Sequence, residues 1–371
     1  MKHLKLILKT LFSNNACVEA ARTKETKYSI ISIVLAIVGV FLAVLPNTIN
    51  NFRKNGQDWM NSSINYDLDR GIYEFSKAAK DVGIDFAISK ETNGRGVLSV
   101  TPSQAKWNET FLIKKPATEG DEKHDDRCEE VHCYIYTNEY GRAFEVYVNT
   151  DLNDVDFNKY ASYVLSNLNP VKKLENEKIK DEDCYLYYTM KDGKKVRVDR
   201  STTTILFGKH NVYAYMFKPG TAGPVSSVGG DYNNYQTTNF ISQCFSSEVG
   251  IKGVQNTFNN WKEFFNKVYI DTRFRSTWTS TGIMVGVDVG VILFMGLMIW
   301  ILTRGKNNPF RIYSIWDGQK IAYYASFTPG LIALILGFLM SQMSMMFFVL
   351  ICGVRIMWLS MRTLKPAGAM K

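Results

Sequence analysis

The stretch DEKHDDRCEEVHC, residues 121–133, concentrates the side chains of this chain that could hold a metal ion. His124, Cys128 and His132 recur every fourth residue, and Cys133 follows directly. On a helix this spacing puts the first three on one face, where imidazole and thiolate would offer zinc the N and S donors it takes. The same residues also read as an acidic, solvated loop with Cys133 opening a strand, and the paired C-x-x-C of structural zinc sites is missing. Calcium on the acidic run would lack the glycine-turned loop of an EF-type site.

The other cysteines divide by the side of the membrane assigned below. Cys128, Cys133, Cys184 and Cys244 form an even set in a block placed outside, where disulfides persist, so all four are disulfide candidates. Four cysteines admit three pairings. A bridge between Cys133 and Cys184 would be natural if they head neighbouring strands. Cys17 reads as a buried thiol or a palmitoylation site, and Cys352 lies in an apolar run.

Asp288 is the one acid inside an apolar run, near its middle. A carboxyl there faces the interior of a helix bundle and either organises the helices through hydrogen bonds or marks an ion or proton path. Ser326 and Thr328 are the expected partners, while Arg355 sits close enough to a helix end to snorkel. Catalytic signatures are missing: there is no G-x-S-x-G, P-loop, H-E-x-x-H or dinucleotide-binding glycine motif. The chain is therefore not expected to be an enzyme, nor to carry a cofactor.

Four apolar runs must position these residues. Crossing a bilayer takes about 20 predominantly apolar residues. Residues 28–46, 278–302, 321–340 and 343–359 meet that length to within a few residues, the last two joined by a turn at Ser341–Gln342. The first run reads as an uncleaved signal anchor, because a long basic region precedes it and no Ala-x-Ala site follows. Charge then sets the orientation. Of 44 Lys+Arg and 35 Asp+Glu, residues 47–277 hold 30 and 31, so the whole positive excess lies in segments 1–27, 303–320 and 360–371 and at the ends of the apolar runs. Cytoplasmic flanks collect Lys and Arg. Four spans place all three segments on that side, with both termini cytoplasmic and residues 47–277 external. Orientation accounts for the basic residues, so no nucleic-acid partner is expected.

Within segment 1–27, Leu4, Ile7, Leu8, Leu11 and Phe12 share a helical face, with Lys5 and Lys9 opposite. That suits a helix lying in the cytoplasmic interface or packing on the linker after the second span. The external block reads as α+β. Residues 62–82 have helical periodicity. Tyr134–Tyr136 with Phe144–Val148, Tyr185–Met190 with Val196 and Val198, and Thr203–Phe207 with Val212–Phe217 read as antiparallel β-hairpins. The first two, CYIYTNEYGRAFEVYV and CYLYYTMKDGKKVRV, resemble each other as a duplication would, or as any two aromatic hairpins do. Residues 219–237 read as a Gly/Ser/Asn-rich loop. Val254, Phe258, Trp261, Phe264, Phe265 and Val268 form an apolar stripe that would pack on the domain core or rest on the outer leaflet.

The fold class is thus an α-helical membrane protein with four transmembrane helices and an external α+β domain. One anchor, an external β-containing block and three clustered spans resemble the DUF1189 family of Gram-positive membrane proteins, some of them named maltodextrin utilisation proteins. LKLILKTLFS at the start, IDFAISKETNGRGVLSV at 84–100 and SIWDGQKIAYYASFTPGLIALILG at 314–337 carry the likeness. It implies a bacterial plasma-membrane protein linked to maltodextrin uptake or to the envelope, and it carries no catalytic residues across. Three roles follow in order: an accessory, interaction or sensor protein with a membrane or envelope partner; an oligomeric transporter or channel component using Asp288; a membrane-anchored ectoenzyme using the 121–133 cluster.

Overall fold

A computed structural model describes residues 2–23, 25–61, 68–103, 112–116, 128–137, 142–167, 186–189, 195–217, 224–305 and 308–364. In chain order the elements are α1 (Lys2–Thr10), α2 (Asn14–Arg22), α3 (Thr26–Arg53), α4 (Leu68–Asp81), β1 (Asp85–Lys90), β2 (Gly96–Thr101), β3 (Leu112–Pro116), β4 (Cys128–Thr137) and β5 (Arg142–Asn149). Then come α5 (Asp154–Asn167), β6 (Leu186–Thr189), β7 (Lys195–Gly208), β8 (Asn211–Met216), β9 (Ser226–Asp231), α6 (Phe240–Cys244), α7 (Ile251–Leu302), α8 (Ile315–Leu339) and α9 (Ser344–Trp358). The chain divides into two compact units, Asn55–Arg273 and Met1–Lys54 with Phe274–Lys371.

Among the described residues four helices are long and apolar enough to cross a membrane: α3, α7, α8 and the run Ser341–Thr363 that contains α9. Their limits differ from the apolar runs for local reasons. Helix α3 continues seven residues past Pro46. Helix α8 starts at Ile315 rather than 321, because Ser314 and Asp317 form a capping box: the Asp317 amide donates to Ser314 Oγ (3.2 Å) and the Ser314 amide to Asp317 Oδ2 (2.9 Å). The stripe at 254–268 and the run at 278–302 are one 52-residue helix, since no Pro, and no Gly between 253 and 282, interrupts 254–281.

In Asn55–Arg273 the strand order is β3-β4-β5-β7-β8-β9, with β6 on β7, beside a separate antiparallel pair β1–β2. The three expected hairpins form: β4 pairs β5, β6 pairs β7 and β7 pairs β8, all antiparallel. The two strands expected at 196–198 and 203–207 are one 14-residue β7. β5 and β7 run parallel through an α5 crossover. Helix α4 covers Leu68–Asp81; residues 62–67 of the expected helix lie outside the described residues.

The expected loop at 219–237 contains the edge strand β9, which pairs with β8 through Gly229 and Gly230. Those glycines suit close approach rather than a loop. A Cβ on Gly230 would fall on the Val268 carbonyl of α7, and one on Gly229 would meet the Tyr213 ring.

The core on one side of the sheet is aromatic: Phe86, Phe207, Phe240, Trp261, Phe264 and Phe265 are all fully buried. Trp261, Phe264, Phe265 and Val268 lie one helical stripe apart on α7, so the stripe packs on the domain core. Asp85 ties β1 to α6, its Oδ1 accepting from the Ile241 amide (2.7 Å) and its Oδ2 from the Ser242 amide (3.2 Å). A second core, Tyr147, Phe157, Ala161, Leu206 and Phe217, lies where α5 covers the opposite face.

In the other unit α3 packs along α8 with backbones touching: a Cβ on Gly330 would fall on the Gly39 backbone. A Cβ on Gly337 would meet Pro46 and Ser344 at 2.8 Å. Ala36, Ala43, Ala322, Ala325 and Ala333 fill the same core.

Candidate functional site

The zinc arrangement needed a helix, and residues 128–133 are part of strand β4. Residues four apart lie about 6 Å apart along a helix but about 13 Å apart along a strand, so the positions of Cys128 and His132 on β4 are not those of two ligands to one metal. His124 lies outside the described residues, as do the side chains of Cys128, His132 and Cys133. Among the described residues no three His, Cys, Asp or Glu side chains could hold a metal ion.

The disulfide expectation changes too. Cys244, at the end of α6, is a free, buried cysteine with its thiol in hydrogen-bond contact with Tyr235, and burial pushes that thiol up to about 12. Cys184 lies outside the described residues. The premise of a Cys133–Cys184 bridge also fails at the level of strands. β4 pairs with β3 and β5, while β6 pairs with β7, so β5 and β7 stand between them.

Asp288 lies on the buried stripe of α7 with Thr277, Met284, Ile292 and Ile299. Ser326 and Thr328 do not pair with it. The Ser326 hydroxyl donates to the Tyr323 carbonyl of its own helix (2.9 Å), and the Thr328 hydroxyl donates to the Leu11 carbonyl. Both Asp288 carboxyl oxygens are buried with no hydrogen-bond partner among the described residues. One and two turns away, α7 meets α3 through polar pairs: the Asn47 side-chain amide donates to Met284 Sδ (2.9 Å), and the Thr48 and Thr281 hydroxyls lie 2.9 Å apart. Across from Asp288, Cys352 on α9 is buried, free and within electrostatic reach. The opposite side of α7 carries Gly282, Gly286 and Gly290, where an added Cβ would meet open space.

Arg355 does not snorkel. Its guanidinium donates to the Thr10 carbonyl (2.6 Å), the Ala325 carbonyl (2.9 Å) and Asn14 Oδ1 (3.2 Å). Lys320, buried beside Asp317, donates to the Ala21 carbonyl (2.9 Å), and Tyr324 donates to the Tyr28 carbonyl (2.7 Å). Cations thus cap the C-terminal carbonyls of both α1 and α2, where the helix dipole favours positive charge. Two residues read as orientation signals are structural ties. Leu6 and Ile7 pack on the bundle, whereas Leu8 and Phe12 (89 % exposed) face outward. Cys17 is wholly buried, so no lipid chain can reach it as folded; burial pushes its thiol up to about 11 against the opposing effect of Arg355.

Sequence reasoning passed over two further groups. His210, in the β7–β8 turn, sets Nδ1 2.8 Å from Asp154 Oδ1 and Nε2 3.5 Å from Glu91 Oε1. Arg95 donates to Asp154 Oδ2 (2.6 Å). Asn93 and His210 hold the Glu91 carboxyl below its ordinary range. Partial burial opposes ionisation of Asp154, but the hydrogen bonds and charges of Arg95 and His210 outweigh it and hold its carboxyl down. The cluster joins the β1–β2 turn, the start of α5 and the β7–β8 turn. Among the described residues both ring nitrogens of His210 face carboxylates, not a hydroxyl or thiol. Glu145 on β5 is fully buried, taking a hydrogen bond from the Tyr147 hydroxyl (3.0 Å). Strand alternation sets it on the face opposite Phe144 and Val146, beside Tyr147.

Comparison with known proteins gives no matching family model, no matching curated protein and no matching solved structure.

Proposed function

We propose that this chain is a multi-pass protein of a bacterial plasma membrane whose 47–277 segment works outside as an interaction or sensor domain, accessory to a membrane or envelope partner. One observation carries this reading. The apolar stretches of all four long helices, the 278–302 part of α7 among them, fall in one compact unit, while the other has its own aromatic core. The charge partition supports cytoplasmic termini, because the segments beyond 47–277 and the ends of the apolar runs hold the positive excess. The resemblance to the DUF1189 family supports a link to maltodextrin uptake or to the envelope.

The test is affinity purification of the full chain from cross-linked membranes, beside a variant lacking residues 55–273. A reproducible partner lost in the deletion supports an accessory role, and identical recovery from both would overturn it. Reporter fusions at residues 27, 150 and 305 check orientation, with only the middle one expected outside.

A second reading has its own observation. The unpartnered Asp288 carboxyl and the open glycines of α7 favour a transport component assembled from several copies.

A further inference from the structure

Among the described residues of the helical unit, Asp288 is an acid buried with both carboxyl oxygens lacking a hydrogen-bond donor, and no charged side chain among them acts on it. Among the described residues Cys352 of α9 is a titratable group in reach; α3 contributes the neutral Asn47 and Thr48, and the α8 hydroxyls at 326 and 328 are bound to carbonyls. An ionised carboxylate in a dry, apolar setting costs several kcal/mol unless it is paired. Two ligands could remove that cost. A metal cation brings a demand for about six oxygen ligands, and among the described residues Asp288 belongs to no group of three or more His, Cys, Asp or Glu side chains that could hold one. A proton needs only the carboxyl itself.

We propose that Asp288 is a proton-binding site, carried as the neutral acid while the bundle is closed and able to release its proton when water reaches α7. This rests on the membrane reading above and names the ligand of its transport variant. The polar pairs Thr48–Thr281 and Asn47–Met284 lie along the same side of α7 and mark the route by which water would arrive.

The test uses dicyclohexylcarbodiimide, an apolar reagent that reacts with protonated carboxyls in dry surroundings. The acid proton passes to one carbodiimide nitrogen and the carboxyl oxygen bonds to the central carbon. Acyl migration to nitrogen then leaves a stable N-acylurea with no leaving group. Full-length protein in native membranes should gain one reagent mass on the peptide containing Asp288, to a greater extent as the medium is made more acid. Asp288→Asn should lose the adduct and Asp288→Glu should keep it. Protein that stays in the membrane through alkaline carbonate yet gains no adduct, or reacts as fast with a water-soluble carbodiimide, overturns the proton site alone. Protection by sodium or calcium at constant ionic strength also overturns it, in favour of a metal. Release of the protein by carbonate overturns the membrane reading together with the proposal.

Discussion

The centre of residues 55–273 is filled by rings. Phe240 lies 4.6 Å from Phe264 and 5.0 Å from Trp261, and Trp59 meets Phe265 edge-on at 5.0 Å. In the unit formed by residues 1–54 and 274–371 tight contacts bring backbones together, with Gly330 against the Gly39 backbone and Gly318 against the Gly296 carbonyl. Water rewards burial in proportion to apolar area, which favours large side chains at the centre. Surroundings as apolar as the side chains give no such reward, so association falls to close packing of small residues and to hydrogen bonds. The contrast supports the assignment of one unit to water and the other to lipid. The helical unit is also held by polar ties: Arg355 and Lys320 donate to last-turn carbonyls of α1 and α2, and Tyr324 donates to the Tyr28 carbonyl of α3.

The comparison can be broken at its strongest point first. Trp261→Ala in the full chain should cost about 3–5 kcal/mol, the usual loss for a large aromatic in a close-packed core, read as a lower denaturation midpoint of the 55–273 unit. A loss below about 1 kcal/mol would show that the ring cluster is loosely packed. Arg355→Met should cost about 1.5–3 kcal/mol by removing charge-assisted hydrogen bonds. It should also expose the segment before Thr26 to protease, whereas an unchanged digestion rate would deny that the guanidinium ties α1 and α2 down.

Gly330→Val tests the helical unit directly. Overpacking costs about 1–3 kcal/mol, and here the obstacle is backbone that cannot swing aside. Gly286→Ala is its control: open space surrounds that position, and Ala in a helix interior gains about 0.5–1 kcal/mol over Gly, so thermal stability in detergent should hold or rise slightly. Equal losses in the two variants would remove the argument from small-residue packing.

The smallest effect belongs to the ionic cluster. The Asp154 carboxyl is held below its ordinary value of 3.8, so its contribution is fully present above that pH and is lost as pH falls through the lower folded value. Asp154→Asn should therefore weaken the protein by less than about 1 kcal/mol near neutrality, given its exposure. The variant should converge with the parent once pH falls below that lowered folded value, as read from denaturation midpoints across the acid range.

Local pattern was enough for elements whose cause is local. Four apolar runs, three hairpins and the stripe at 254–268 were legible because hydrophobic period and turn residues act over a few positions. The candidate sites were less so. The 121–133 spacing looked metal-binding only on the assumption of a helix, and sequence alone leaves that assumption open. Asp288 was found because an acid in an apolar run stands out, but its expected hydroxyl partners are bound to the carbonyls of Tyr323 and Leu11. The His210 cluster draws residues from 91 to 210, and no spacing rule reaches across that interval.

Composition and order along the chain thus determined how many helices could span a membrane, which block is near-neutral and which strands fold back on their neighbours. Tertiary structure alone decided that Lys320 and Arg355 cap α1 and α2, that β5 and β7 separate β4 from β6, that Glu145 is covered and that Gly230 must be small. The reason is common to all four. Each depends on which surface a distant segment presents, and a side chain's own neighbours in sequence carry no record of that surface.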